Sequence, residues 1–90
     1  MATGLKGMNI DQGRALAKSC QADADQITQI TSKLTQQLHG TEWLGQDADQ
    51  FRTQWESEYS VALKKVAAAL VDAAMHLNSE ADAQEQASNS

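Results

Sequence analysis

Small and apolar residues recur every three or four positions along two long stretches of this chain. In the first stretch they are Ile10, Gly13, Ala17, Cys20, Ala24, Ile27, Leu34 and Leu38; Thr31 interrupts the stripe, and Leu16 and Ile30 widen it. In the second stretch they are Ala48, Phe51, Trp55, Tyr59, Ala62, Leu63, Val66, Leu70, Ala73 and Leu77. This spacing keeps one face of an α-helix apolar along its length, so it predicts two long amphipathic helices.

Capping and breaking residues mark where these helices begin and end. Asn9, followed three positions later by Gln12, has the pattern of a capping box, and Gly40 provides a C-terminal stop. Asp47 and Asp49 place negative charge where a second helix would begin. These signals predict a flexible leader over 1–8, a first helix over about 9–39, a turn over 40–46, a second helix over about 47–80 and a flexible tail over 81–90.

A turn this short forces the two helices to lie antiparallel, which predicts a single all-α domain, residues 1–90, built as a helical hairpin. The second apolar stripe is wider than the first helix can cover. The uncovered flank predicts a partner, most simply a second hairpin that completes a four-helix bundle. The residues predicted to pack the helices and form the dimer interface are Ile10, Leu16, Cys20, Ile27, Ile30, Leu34, Leu38, Phe51, Trp55, Tyr59, Leu63, Val66, Leu70 and Leu77.

The charge of the chain narrows the classes of partner. Its net charge is −5, and its seven lysines and arginines are scattered, so no basic cluster is present to neutralise a run of phosphates. Nucleic-acid binding is therefore not expected, and the same acidity argues against contact with anionic membranes. The sequence has no run of 18 consecutive apolar residues, so no membrane span is predicted. The first residues also do not have the apolar core of a general secretory signal.

Candidate catalytic and metal-binding residues do not form a recognisable site. His39 falls at the turn and His76 far along the second helix, roughly 45 Å away at 1.5 Å of rise per residue. The carboxylates are dispersed on solvent-facing positions, and a two-helix layer offers no pocket to shift their pKa values. The single cysteine, Cys20, belongs to the apolar stripe and is expected to be an inert thiol. The expectation is a protein that is not an enzyme and uses neither cofactor nor metal.

The most specific feature is Trp43-Leu44-Gly45 in the turn, followed at helical spacing by alanine, phenylalanine and tryptophan. With this Trp-x-Gly at mid-chain between two amphipathic helices, the chain resembles the WXG-100 family, the small early-secreted-antigen-like proteins of type VII secretion systems. The resemblance covers roughly residues 9 to 87.

The resemblance implies a hairpin that homodimerises or pairs with a related WXG-type hairpin, and that is exported folded without a cleaved signal. Implied partners are the type VII secretion ATPase and, for some family members, a larger effector. Carried over by position, Trp43 and Gly45 form the turn and recognition motif. The indole of Trp43 would then contact a partner, plug the end of the hairpin, or do both.

The family often carries a Tyr-x-x-x-Asp/Glu export element near the end of its second helix, and this chain departs from it. Leu77 stands at the matching tyrosine position and Ala81 at the matching acidic position. Tyr59 lies mid-helix and is followed at the fourth position by Leu63. The export element is absent or degenerate, which favours a partner that supplies the signal or a different recognition by the secretion machinery.

The leading functional hypothesis is a type VII secretion substrate or effector partner, made in the cytoplasm and then secreted or held at the cell surface. A cytoplasmic helical adaptor or assembly factor that is never exported fits the two stripes equally well. A membrane-active amphipathic hairpin is the third hypothesis, and the acidic charge argues against it.

Overall fold

The computed structural model describes residues 7–89, and each regular element in that range is helical. Helix α1 spans Ile10–Gly40, and α2 spans Gln46–Gln54. A π-helical turn, Trp55–Tyr59, leads without a break into α3, Ser60–Asn89. The chain thus forms the predicted all-α helical hairpin, an extended rod that measures 66 × 18 × 17 Å.

The two ends of α1 follow from local sequence, with one correction. The Asn9 side chain accepts a hydrogen bond from the Gln12 backbone N–H at 3.0 Å, as the capping-box pattern predicts. Gly40, predicted to lie in the turn, is the last residue of α1, and its φ is not positive. A positive φ occurs instead at Gly45, where φ is 114° and the chain enters α2. Most of the predicted leader, residues 1–6, lies outside the described residues.

The tail predicted over residues 81–90 is instead helical through Asn89, and Ser90 lies outside the described residues. Ala81 is fully buried, so the packing between the helices continues past the predicted end. The Arg14 guanidinium contacts Asp82 Oδ1 at 2.9 Å and Glu85 Oε1 at 3.3 Å, and so holds the end of α3 against the start of α1. The hydrogen bond to Asp82 raises the pKa of Arg14, and the charges of both carboxylates act in the same direction.

Small residues spaced by seven form the line along which α1 and α3 meet, which we call the seam. No large side chain of residues 7–89 is fully buried. Small side chains let two helix backbones approach closely, and a seven-residue repeat keeps them facing each other along a left-handed supercoil. The buried seam residues are Ala17, Ala24 and Thr31 on α1 and Ser60, Ala67, Ala74 and Ala81 on α3.

Thr31, which interrupts the apolar stripe in the sequence, occupies the seam with only 4% of its surface exposed. Its hydroxyl donates a 2.7 Å hydrogen bond to the Ile27 carbonyl one turn earlier. A threonine whose hydroxyl is paired within its own helix can be buried without leaving a polar group unsatisfied. The interruption is therefore a seam position rather than a break in packing.

The π-turn changes which residues of the second helical segment face α1. The Ser60 N–H bonds the Trp55 carbonyl five residues earlier, so the turn contains one residue more than an α-helix would. One extra residue rotates everything beyond it by about 100°. The uninterrupted stripe predicted through Tyr59 and Val66 is thus turned away from the seam, and Ser60 takes the seam position in place of Tyr59.

Candidate functional site

The larger apolar side chains lie together on one side of the hairpin. They occupy positions one residue before, or three residues after, the seam residues of each helical segment. Because α1 and α3 are antiparallel, these positions fall on the same side of both helices. We call this surface the apolar face: Leu16, Cys20, Ile27, Ile30, Leu34, Phe51, Tyr59, Leu63, Val66, Leu70 and Leu77.

The apolar face is only partly sheltered by the hairpin itself. Leu16 is 52% exposed, Val66 49% and Ile30 46%, and Leu34, Phe51 and Tyr59 are exposed as well. The remaining predicted packing residues are half-buried: Ile10, Cys20, Ile27, Leu38, Trp55, Leu63, Leu70 and Leu77. Of the residues predicted to pack the helices, none is buried, because two helices alone have no interior large enough for them.

The opposite side of the hairpin is more polar. It carries the Arg14 ion pairs with Asp82 and Glu85, and near the turn the contact of His39 Nε2 with Glu56 Oε1 at 3.1 Å. Val61 and Met75 are its exposed apolar exceptions. The hairpin therefore has two unlike faces, one largely apolar and one more polar.

Four aromatic rings form a chain of contacts at the turn end. Ring centroids lie 5.8 Å apart between Trp43 and Phe51, 6.2 Å between Phe51 and Tyr59, and 6.5 Å between Tyr59 and Trp55. All three pairs are tilted or edge-on, as favourable aromatic pairs are. An apolar depression of about 240 Å³, lined by Leu34, Gln37, Leu38, Thr41, Phe51 and Trp55, lies beside them.

The Trp-Leu-Gly turn is held by an arginine that the sequence analysis did not single out. Arg52 donates through Nη1 to the Trp43 carbonyl and through Nη2 to the Thr41 carbonyl, both at 3.0 Å. The Trp43 ring packs on Phe51 yet remains 40% exposed, while Leu44 projects from the turn. Trp43 is thus anchored to α2 and still accessible. This arrangement is compatible with an indole that closes the end of the hairpin and with one that contacts a partner.

A polar groove of about 460 Å³ lies beside the π-turn. The hydroxyls of Thr31, Thr35 and Ser60, which line it, each donate to a backbone carbonyl of their own helix. The indole N–H of Trp55 donates to Thr35 Oγ1 at 2.8 Å. These three hydroxyls are therefore engaged in hydrogen bonds within the helices.

Within residues 7–89 the other candidate catalytic and metal-binding side chains do not form a cluster. His39 and His76 contact different carboxylates, Glu56 and Glu80, and no group of three or more metal-ligating side chains forms in this part of the chain. None of the described helices combines the length and the apolar character needed to cross a membrane. Searches against protein-family models, curated proteins and solved structures give no match to this chain.

Proposed function

We propose that this protein is a non-enzymatic docking module that associates through its apolar face with a second helical hairpin to form a four-helix bundle. The observation that carries the proposal is the half-exposure of Leu16, Ile30 and Val66, which all lie on the apolar face. Removing apolar area from water is the main favourable contribution to association, at about 25 cal/mol per Å². A hairpin without a partner keeps this apolar area exposed to water.

The dimensions of the hairpin support a stable rather than a transient association. The rod is 66 Å long and 17 to 18 Å across, so one face exceeds the roughly 800 Å² per partner that a standard-size interface buries. The aromatic chain at the turn end adds rigid apolar area, and aromatic residues often dominate interface energetics. A second hairpin laid along this face would convert the two-helix layer into a bundle with an interior.

The resulting bundle acts as a substrate, or as an effector partner, of a type VII secretion system. The support is the resemblance carried by Trp43-Leu44-Gly45 between two amphipathic helices. The protein is made in the cytoplasm and reaches the medium or the cell surface without a cleaved signal peptide. Its degenerate export element fits co-export with a signal-bearing partner, either a related hairpin or a larger effector with a helical domain.

Association is tested by sedimentation equilibrium on the purified chain, alone and mixed with candidate hairpin partners. Val66→Glu places a charge on the apolar face, and we expect it to raise the dissociation constant at least tenfold. Ala68→Glu, at an exposed position of the same helix off this face, is the matched control and should leave the dissociation constant nearly unchanged. A chain that stays monomeric with every hairpin tested, or equal effects of the two variants, would contradict the proposal.

Secretion is tested separately, by deleting the type VII ATPase in the producing bacterium. We expect the protein to accumulate in cells and disappear from the medium, while a cytoplasmic marker protein keeps its distribution. An unchanged distribution of this chain would rule out export by this route. It would leave the apolar face as the surface of a cytoplasmic helical adaptor.

A further inference from the structure

We propose that Leu44 is the recognition residue of a second docking surface, at the closed end of the hairpin, and that it enters an apolar socket with a basic rim on a partner protein. Leu44 is 86% exposed, the highest value among the large apolar side chains of residues 7–89. It lies beyond the end of α1 and outside the apolar face, so this surface is additional to the association proposed above.

The backbone that precedes Leu44 is held in place before any partner binds. Arg52 fixes the Trp43 and Thr41 carbonyls with its two 3.0 Å hydrogen bonds. Thr41 also donates through its hydroxyl to the Gln37 carbonyl at 2.6 Å. Since the turn is already ordered, a partner does not have to supply the free energy of ordering it, and more of the contact energy appears as affinity.

The turn anchors Trp43 and presents Leu44. The Trp43 ring is engaged with Phe51 at 5.8 Å, so it is half covered by its own chain. Gly45 follows with φ of 114°, a conformation that a side chain would strain, and the chain then enters α2. Between these two fixed neighbours, Leu44 is the apolar side chain left for a partner to bury.

The charges around Leu44 define the chemistry of that partner. Glu42, Asp47 and Asp49 lie within five residues of it, and in the described part of the chain none of them forms an ion pair. The nearest cation in sequence, Arg52, is occupied by backbone carbonyls. Asp47 and Asp49 also stabilise the start of α2, whose N-cap, Gly45, has no side chain to bond the first amides. A basic rim complements these carboxylates, whereas an anionic lipid surface would be repelled.

The first experiment finds the partner by photocross-linking. A benzophenone amino acid replaces exposed Gln46, two residues from Leu44, in the full chain expressed in its native bacterium, and adducts are identified by mass spectrometry. We expect one discrete adduct with a protein other than this chain. An adduct with a second copy of this chain, an adduct with lipid, or no adduct would each overturn the proposal.

The second experiment measures binding of the purified adduct protein to the variants by calorimetry. Burying a leucine side chain corresponds to at least a tenfold change in dissociation constant, so Leu44→Ala should weaken binding by about tenfold or more. Met75→Ala, at a 65% exposed site on α3, is the matched control and should bind like the unaltered protein. Equal affinities of Leu44→Ala and Met75→Ala would overturn the assignment of Leu44.

The basic rim has its own test. Glu42→Gln removes one charge outside the helices, and we expect it to weaken binding about two- to fivefold at low salt and to reduce the salt dependence of the dissociation constant. Circular dichroism should show the same helicity for each variant. Binding by Glu42→Gln with unaltered affinity and salt dependence would overturn the basic rim.

Discussion

The indole nitrogen of Trp55 donates a hydrogen bond to the hydroxyl of Thr35, 2.8 Å away on the facing helix. Trp55 is the first residue of the π-turn, and Thr35 lies one turn beyond the seam residue Thr31. The bond therefore holds the start of the π-turn next to Thr35 of α1, at the point where the extra residue rotates the rest of the second helical segment.

Removing this hydrogen bond should destabilise the hairpin modestly. In a double-mutant cycle, Trp55→Phe and Thr35→Val are made singly and together, and the coupling free energy is expected to be about 0.5–1.5 kcal/mol in favour of the native pair. Chemical denaturation at one fixed protein concentration measures it, since association alters apparent stability. Additive effects of the two substitutions would show that the contact does not stabilise the fold.

Deleting one residue from the π-turn should be tolerated. Without Glu58 the segment can run as a continuous α-helix, with Ala48 and Ser60 still in phase on the seam side. We expect the hairpin to fold, with a change in unfolding free energy of no more than about 1 kcal/mol.

Deleting Ala69 instead, inside regular α3, is the control for this experiment. It rotates Ala74 and Ala81 off the seam and should unfold the end of the hairpin. Thermal denaturation followed by circular dichroism compares the two deletions. Similar losses of stability would mean that the π-turn does not set the phase of α3.

The seam should not tolerate larger side chains. Ala74 is 4% exposed at the line where the helices meet, so Ala74→Leu forces them apart and is expected to cost about 1–3 kcal/mol of unfolding free energy. Ala69→Leu, at an exposed position of the same helix, makes the same chemical change and should stay within about 0.5 kcal/mol. If both variants melt like the unaltered protein, the seam is looser than the burial of Ala74 implies.

Gly45 should be required for the turn, while Gly40 should not. Gly45→Ala forces a side chain into a φ of 114°, at a cost of about 1–3 kcal/mol, although no atom would lie within 4 Å of the new Cβ. Gly40→Ala, at the end of α1, meets equally open space without a positive φ and should be neutral or stabilising by about 0.4–1 kcal/mol. Urea denaturation of the two variants provides the comparison, and equal effects would contradict the strained turn.

Several features of the fold follow from short-range signals and are confirmed by the structure. The Asn9 cap depends on one side chain and the amide three residues on, so a local pattern suffices to predict it. Likewise, the two helical segments and the Trp43–Gly45 break follow from periodicity and from residues that start or stop helices. The end of α3 was predicted wrongly, because the burial of Ala81 and the ion pairs of Asp82 and Glu85 with Arg14 involve residues far apart in the chain.

The sequence by itself determined that the chain makes two long helices joined by a tight turn, because helix propensity, capping and a three-to-four repeat act between neighbours along the chain. Only the tertiary structure decided which residues face inward. The π-turn, tied to α1 by Trp55 and Thr35, moves Ser60 into the seam and Tyr59 out of it. That choice depends on the close packing of two distant segments, in which small side chains permit contact and large ones are left for a partner.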